Sequence, residues 1–319
     1  MSRILITGGY GFLGSAIGEK LVDEGHNLTL IDVAFNETKP GYYTRLNENT
    51  SVRKIQADVR NLDEIIDHFN EVEYCIHCAA ALGVNEVITN PKETLNINIR
   101  GTENVIKAFN DRGSPKRFVF FSTSEIFGEN AFRVTEDGDV FFRNINHPRW
   151  SYAISKLIGE HITLGYNRSD KLPVSIVRPF NIYGPKRLGD HAVKSFILNA
   201  LKNEPMIVYS DGSQIRSWCY VDDFARAVRN LLFIPQAEGS IFNIGNPAGT
   251  ITIHSLAKLI KRLTNSESEI IFMKPNIIDI DIRVPDIEKS RRILNFEPEI
   301  SIEEGISNTI DWYKLWTKK

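Results

Sequence analysis

The sequence predicts an α/β protein: a doubly wound parallel sheet of the Rossmann kind with a smaller mixed α/β lobe beside it. Three observations carry that prediction. Short apolar runs alternate with helical patterns through the first half, and a glycine-rich turn joins the first run to the first helix. After Arg178 the alternation becomes irregular, yet no linker, repeat or low-complexity tract intervenes. Alternating strands and helices imply right-handed crossovers and a parallel sheet covered on both faces.

Strand-like runs occupy Arg3 to Thr7, Asn27 to Asp32, Val52 to Asp58, Tyr74 to Cys78, Arg117 to Ser122 and Val174 to Val177. Helical patterns lie between them at roughly Leu13 to Glu24, Asn61 to Phe69, Pro91 to Arg112 and Tyr152 to Tyr166. Beyond Arg178 come weaker strands, Met206 to Val208 and Ile241 to Ile244. They stand among helices near His191 to Lys202, Asp223 to Phe233, Ile253 to Leu263 and Ile302 to Leu315. Residues 1–178 are therefore expected to form a dinucleotide-binding domain, and 179–319 a substrate lobe interleaved with it. The active site belongs in the cleft between them.

The 319 residues are 42% hydrophobic and 24% charged, enough to bury a substantial core. Against 40 Asp and Glu stand 38 Lys and Arg, a net charge of -2 that offers no field to draw in nucleic acid or an anionic membrane. An anionic substrate must be held by local groups. Cys75, Cys78 and Cys219 are an odd number without a metal-ligand partner set, so they read as reduced core thiols and no metal is expected. The start MSRILITGG has no signal-peptide pattern, and no apolar run approaches ~18 residues. A soluble, cytoplasmic protein is expected.

The stretch Ile4-Leu-Ile-Thr-Gly-Gly-Tyr-Gly-Phe-Leu-Gly14 puts Gly8, Gly11 and Gly14 between the first strand and first helix. Glycines let backbone turn tightly against a pyrophosphate, and the helix start at Phe12, Leu13 and Gly14 supplies unpaired N–H groups to it. Asp32 ends the second strand about twenty residues on, where a carboxylate accepts both adenosine ribose hydroxyls and repels a 2′-phosphate. NAD is thus favoured over NADP. Asp58-Val59, ending the third strand, is placed either at the adenine amino group or in a simple turn.

Tyr152 and Lys156 are four apart in a predicted helix and share one face. An ammonium near a phenol lowers its pKa, which makes tyrosine a usable base near neutrality. The spacing alone describes many solvated helices. What raises it is the Ser-Thr-Ser-Glu run at 122–125, whose hydroxyls emerge at the carboxyl edge of the sheet, where such folds bind ligands.

The motifs TGGYGFLG, HCAA at 77–80, NIRGT at 98–102, STSEIFG, YAISK at 152–156, RPFNIYGP at 178–185 and RSWCYVDD at 216–223 together resemble one family. It is the extended short-chain dehydrogenases, the NAD-dependent sugar epimerases and dehydratases, and the resemblance spans nearly the whole chain. It implies that Tyr152 is the base, that Lys156 orients the nicotinamide ribose, and that Thr123 hydrogen-bonds the reacting sugar hydroxyl. By the same resemblance Asn98 and the Ala79-Ala80 backbone line the cofactor, while Asn181, Arg216 and Arg283 face the diphosphate of a nucleotide sugar. Two guanidinium forks suit a diphosphate in a protein without net positive charge. A homodimer through Pro91 to Arg112 and Tyr152 to Tyr166 is also implied.

Family members share transient oxidation of a sugar carbon and differ in the fate of the resulting ketone. Many 4,6-dehydratases carry an Asp-Glu pair after the threonine; here Ser124 and Glu125 come after Thr123. The overall resemblance is nearest to UDP-glucuronate decarboxylases, through STSE, PRWSYAISK, RSWCYVDD and Asn243-Ile-Gly-Asn-Pro247. Decarboxylation needs a ketone and a donor to the forming enolate; Arg283 and Ser124 are candidates for that donor or for gripping the carboxylate, and Glu125 for an acid or for positioning the sugar. Epimerase and dehydratase remain alternatives, as does a non-catalytic NAD-binding regulator. The segment Ala131 to Arg149 is expected to reshape the sugar pocket.

Overall fold

Every residue of the run Arg117–Phe121 is buried, as a strand covered on both faces requires. The structure, a computed structural model, describes residues 1–35, 44–187, 189, 191–274 and 280–317. Its strands in the first half are β1 (Arg3–Thr7), β2 (Asn27–Asp32), β3 (Val52–Gln56), β4 (Tyr74–His77), β5 (Arg117–Phe121), β6 (Asn130–Val134), β7 (Val174–Pro179) and β8 (Ile182–Tyr183). In the second half come β9 (Met206–Tyr209), β10 (Ile215–Ser217), β11 (Cys219–Tyr220), β12 (Ser240–Ile244), β13 (Thr250–Thr252), β14 (Ile270–Met273) and β15 (Ile282–Pro285).

Seven of these form one parallel sheet in the order β12-β7-β5-β4-β1-β2-β3. Chain order reverses between β1 and β4, so their carboxyl ends open the crevice where such sheets take ligands. Alternate side chains build two cores. Ile4, Ile6, Ile76 and Val119 join one cluster, and Leu5, Cys75, Phe118 and Phe120 the other.

A smaller sheet runs β13-β10-β15-β6. β6 comes from the first half, whereas β12 of the second half completes the large sheet at its far edge. The halves are thus interleaved through two exchanged strands. β10 and β15 pair in parallel with Arg216 beside Arg283, so both side chains leave the same face.

The expected helices are present with small shifts at their ends. The one carrying Tyr152 and Lys156 spans Trp150–Asp170. The long pattern at Pro91 to Arg112 is divided by a π turn over Asn96–Arg100. The third strand stops at Gln56, two residues short of Asp58, which lies in the turn beyond.

Candidate active site

The glycine turn closes on β4 as tightly as backbone allows. Gly8 has φ +66°, and a Cβ there would stand 2.7 Å from the Ala79 nitrogen. Its N–H donates to the Ile31 carbonyl at 2.8 Å. A Cβ on Gly14 would overlap the Gly8 carbonyl. Only glycine serves at both positions. The helix Phe12–Asp23 then starts from Gly11 with no side-chain cap and no acid in its first turn, which leaves the N–H groups of Phe12, Leu13 and Gly14 and the positive end of the dipole for an anion.

Asp32 ends β2 beside this turn, its Oδ2 accepting from the Tyr10 N–H at 3.0 Å. Burial pushes its carboxyl above the usual range, against backbone donors at Tyr10, Ala34 and Val33. Two ribose hydroxyls would supply the missing donors, so this carboxylate, the glycine turn and the uncapped helix fit a dinucleotide. Asp58 lies in the turn just beyond β3. Arg60 grips its carboxylate with Nε 2.9 Å and Nη2 2.5 Å from Oδ2, and holds it below the usual range. Val59 is buried beneath the helix, where Gly101 leaves room for its methyl group.

Asn98 sits within the π turn, a bulge that often marks a functional site. Its Oδ1 accepts from the Ala81 N–H at 2.8 Å, and its Nδ2 donates to the Ala81 carbonyl at 3.1 Å and to Ser155 Oγ at 2.9 Å. With its side chain thus engaged, Asn98 fixes the backbone at Ala81 and ties it to the helix Trp150–Asp170.

Thr123 faces Tyr152 across the cleft, close enough to favour the charged form of its phenol. Thr123 also caps the short helix Ser124–Phe127, accepting from the Glu125 N–H at 3.2 Å, and Ser124 is buried there. Lys156 lies in the same cleft with its Nζ 5.0 Å from the Phe120 ring centroid, and burial lowers its ammonium to about 8. The expectation that Lys156 acidifies Tyr152 needs correcting. The phenol is raised well above its ordinary value, first by burial and then by the charge of Glu125, while Thr123, Arg187 and Arg283 act the other way. The physical reason is depth: burial of the phenol itself disfavours its charged form more than the donors and cations around it favour it.

The side of the cleft around Glu125 is dense with arginine. Glu125 Oε1 stands 3.6 Å from Arg283 Nη1, and its Oε2 stands 4.0 Å from Arg149 Nη2. Arg216, next to Arg283 in register, donates from Nη1 to the Ile215 carbonyl at 3.0 Å. Asn181 has φ +43°, and its Nδ2 donates to the Ser217 carbonyl at 3.3 Å, placing it at the base of the arginine strand. Two residues escaped the sequence reading. Arg149 closes the segment singled out before Tyr152, and Arg187 comes just after the Gly184-Pro185 turn, its guanidinium 5.3 Å from the Phe12 ring. Among the described residues no group of His, Cys, Asp and Glu could hold a metal, and no helix is long and apolar enough to cross a membrane.

A comparison with known proteins decides the family: the model described as "NAD dependent epimerase/dehydratase family" matches residues 4–245. The chain belongs to that family. NAD is accordingly its cofactor. The chain is 35% identical to the UDP-N-acetyl-alpha-D-glucosaminuronate decarboxylase of Bacillus cytotoxicus, over 98% of each. It is 31% identical to the UDP-glucuronate 4-epimerase of Thermodesulfobacterium geofontis, over 98% of this chain and 97% of the other. It also resembles the structure of UDP-glucuronic acid 4-epimerase from Bacillus cereus in complex with UDP-glucuronic acid and NAD. There the TM-score is 0.87 at 25% identity, over 98% of this chain and 99% of that one. This family member thus stands among NAD-dependent epimerases, decarboxylases and dehydratases of nucleotide sugars.

Proposed function

We propose that this protein removes the carboxylate of a UDP-hexuronate, converting UDP-glucuronate to UDP-xylose or its 4-keto form. The observation that supports this reading most is the cluster around Glu125, where one carboxylate meets two buried guanidinium groups and a third stands alongside. Guanidinium forks match the oxygens of carboxylates and phosphates in bidentate geometry. A diphosphate on Arg216 and a sugar carboxylate near Arg283 suit this cluster, with Asn181 at the diphosphate end.

Tyr152 as phenolate takes the proton of the sugar C4 hydroxyl, which Thr123 holds in place. When bound, NAD accepts the C4 hydrogen with its electron pair and brings a positive ring charge that favours the phenolate. The sugar ketone is then β to the carboxylate. Breaking the C5–C6 bond sends its electron pair toward the ketone oxygen and releases carbon dioxide, and Tyr152, now carrying its proton, donates to the forming enolate. Lys156 and Asn98 hold the cofactor side of this arrangement, and Ala79 and Ala80 form its floor. Ser124, where many dehydratases place an acid, offers nothing to drive loss of water. The presence of both Tyr152 and Lys156 in one cleft argues against a non-catalytic regulator.

The test is product analysis with NAD and a panel of UDP-glucuronate, its 2-acetamido analogue and UDP-glucose. Mass spectrometry is expected to show loss of carbon dioxide from a uronate. Conversion of UDP-glucuronate to UDP-galacturonate, or loss of water from UDP-glucose, overturns the decarboxylase reading. Tyr152→Phe should lower turnover by roughly 10² to 10⁴ while NAD affinity hardly changes.

A further inference from the structure

His77 ends β4 and pairs in register with Thr7 at the end of β1, where the chain order of the large sheet reverses. It is fully buried, with the Phe118 and Phe120 ring centroids 6.3 and 6.0 Å from its own. An apolar ring would suit those neighbours, since a buried hydrogen-bonded pair gains little over apolar groups of the same shape. Both ring nitrogens are nevertheless engaged. Nδ1 lies 2.7 Å from Thr7 Oγ1, and Nε2 lies 3.1 Å from Thr102 Oγ1. Burial, and after it the charge of Lys156, lowers the imidazolium to about 3, so the ring is neutral and carries one proton.

The hydroxyls decide where that proton sits. Thr102 uses its one hydroxyl hydrogen on the Asn98 carbonyl at 2.6 Å, so toward His77 it can only accept. The ring proton is therefore on Nε2, and Nδ1 accepts from Thr7, whose oxygen in turn faces the Ala79 N–H at 3.4 Å. The same rule orients the far end. Ser155 donates to the Tyr152 carbonyl at 2.7 Å, which leaves its oxygen to accept from Asn98 Nδ2. One directed set of hydrogen bonds thus runs from the backbone beside the glycine turn, through His77 and the turn carrying Asn98, to the backbone of Tyr152.

We infer that His77 is a positioning residue for the oxidation step: held in one tautomer between Thr7 and Thr102, it fixes the cofactor side of the crevice relative to Tyr152. This rests on Tyr152 as the base in the reading above and not on the fate of the ketone, so it applies to decarboxylation and epimerisation alike. The physical stake is geometric, because a misplacement of about 1 Å between reacting groups lowers a rate by roughly a hundredfold.

The test takes Thr7→Val, Thr102→Val and the double variant, with NAD and the nucleotide sugar of the panel above that the wild type converts. Each single change removes a hydroxyl at nearly constant volume, and should lower kcat by roughly ten- to a hundredfold while KM for the sugar hardly changes. Because both interrupt one relay, the double variant should be no slower than the slower single one. Thr102→Ser, which gives up packing but keeps the hydroxyl, should retain most of the turnover. Nitrogen-15 NMR of the wild-type histidine rings should show His77 protonated on Nε2 alone between about pH 5 and 8, and it decides the matter if a valine protein does not fold. Losses that multiply in the double variant, a serine variant as slow as the valine one, or a proton on Nδ1 overturns the inference. Near-native activity of Tyr152→Phe would instead overturn the reading of Tyr152 as the base, and this inference with it.

Discussion

Burial lowers the Lys156 ammonium to about 8, and stability carries the mark of that shift. The unfolded chain keeps this proton up to the ordinary lysine value near 10.4, whereas the folded chain releases it above about 8. Between those limits the unfolded state binds more protons, so this group's contribution makes the protein more stable as pH rises through the window. Below it the full cost is present, on the order of 3 kcal/mol. Lys156→Met should therefore raise the melting temperature of the NAD-free protein at pH 7 while abolishing activity. The gap over wild type should close toward pH 10, and melts across that range check it; a methionine protein that melts lower at pH 7 contradicts the assignment. At Asp32 the prediction concerns the cofactor: NAD should bind at least ~tenfold more tightly than NADP, about 1.4 kcal/mol. Equal affinities in a titration would remove Asp32 from the ribose. Tyr152, Lys156, Asp32 and the three glycines were legible because short-range spacing fixes their chemistry. Arg149 and Arg187 were not, since a lone arginine shows its role only once the fold brings Glu125 or Phe12 to it.

Between elements, the catalytic helix is held to the sheet at Gly159. A Cβ there would overlap the ring of Phe120 on β5, the ring that also lies under the Lys156 ammonium. Gly159→Ala should push that ring and so disturb Lys156 from behind the cleft. The expected outcome is a loss of about 1–3 kcal/mol of stability with a fall in turnover, read from thermal melts and initial rates. Full activity would mean that ring and lysine are not coupled. Long apolar strands such as β1, β4 and β5 could be read from the chain because burial on both faces writes a continuous run. β8, β10, β11 and β13 have two or three residues each, too few for any periodicity. The pairing of Arg216 with Arg283 joins positions 67 apart in the chain, and no local pattern encodes that.

For the molecule as a whole, near-neutral charge leaves recognition to the cleft. The interleaving of β6 and β12 between the two sheets couples the sugar lobe to the cofactor domain, so a cut at residue 178 would sever strands from both. The alternation of elements disclosed the large sheet; the exchange of strands was hidden because register across a sheet is set by packing. The claim that spans both lobes is that oxidation at the Tyr152 end of the cleft releases the carboxylate held at the Arg283 end. Its most direct test supplies wild-type protein and NAD with UDP-glucuronate labelled at the C6 carboxyl carbon. The label should leave as carbon dioxide in step with substrate consumption, and Tyr152→Phe should suppress that release. Label that stays in the nucleotide-sugar fraction while UDP-glucuronate is consumed would contradict the account.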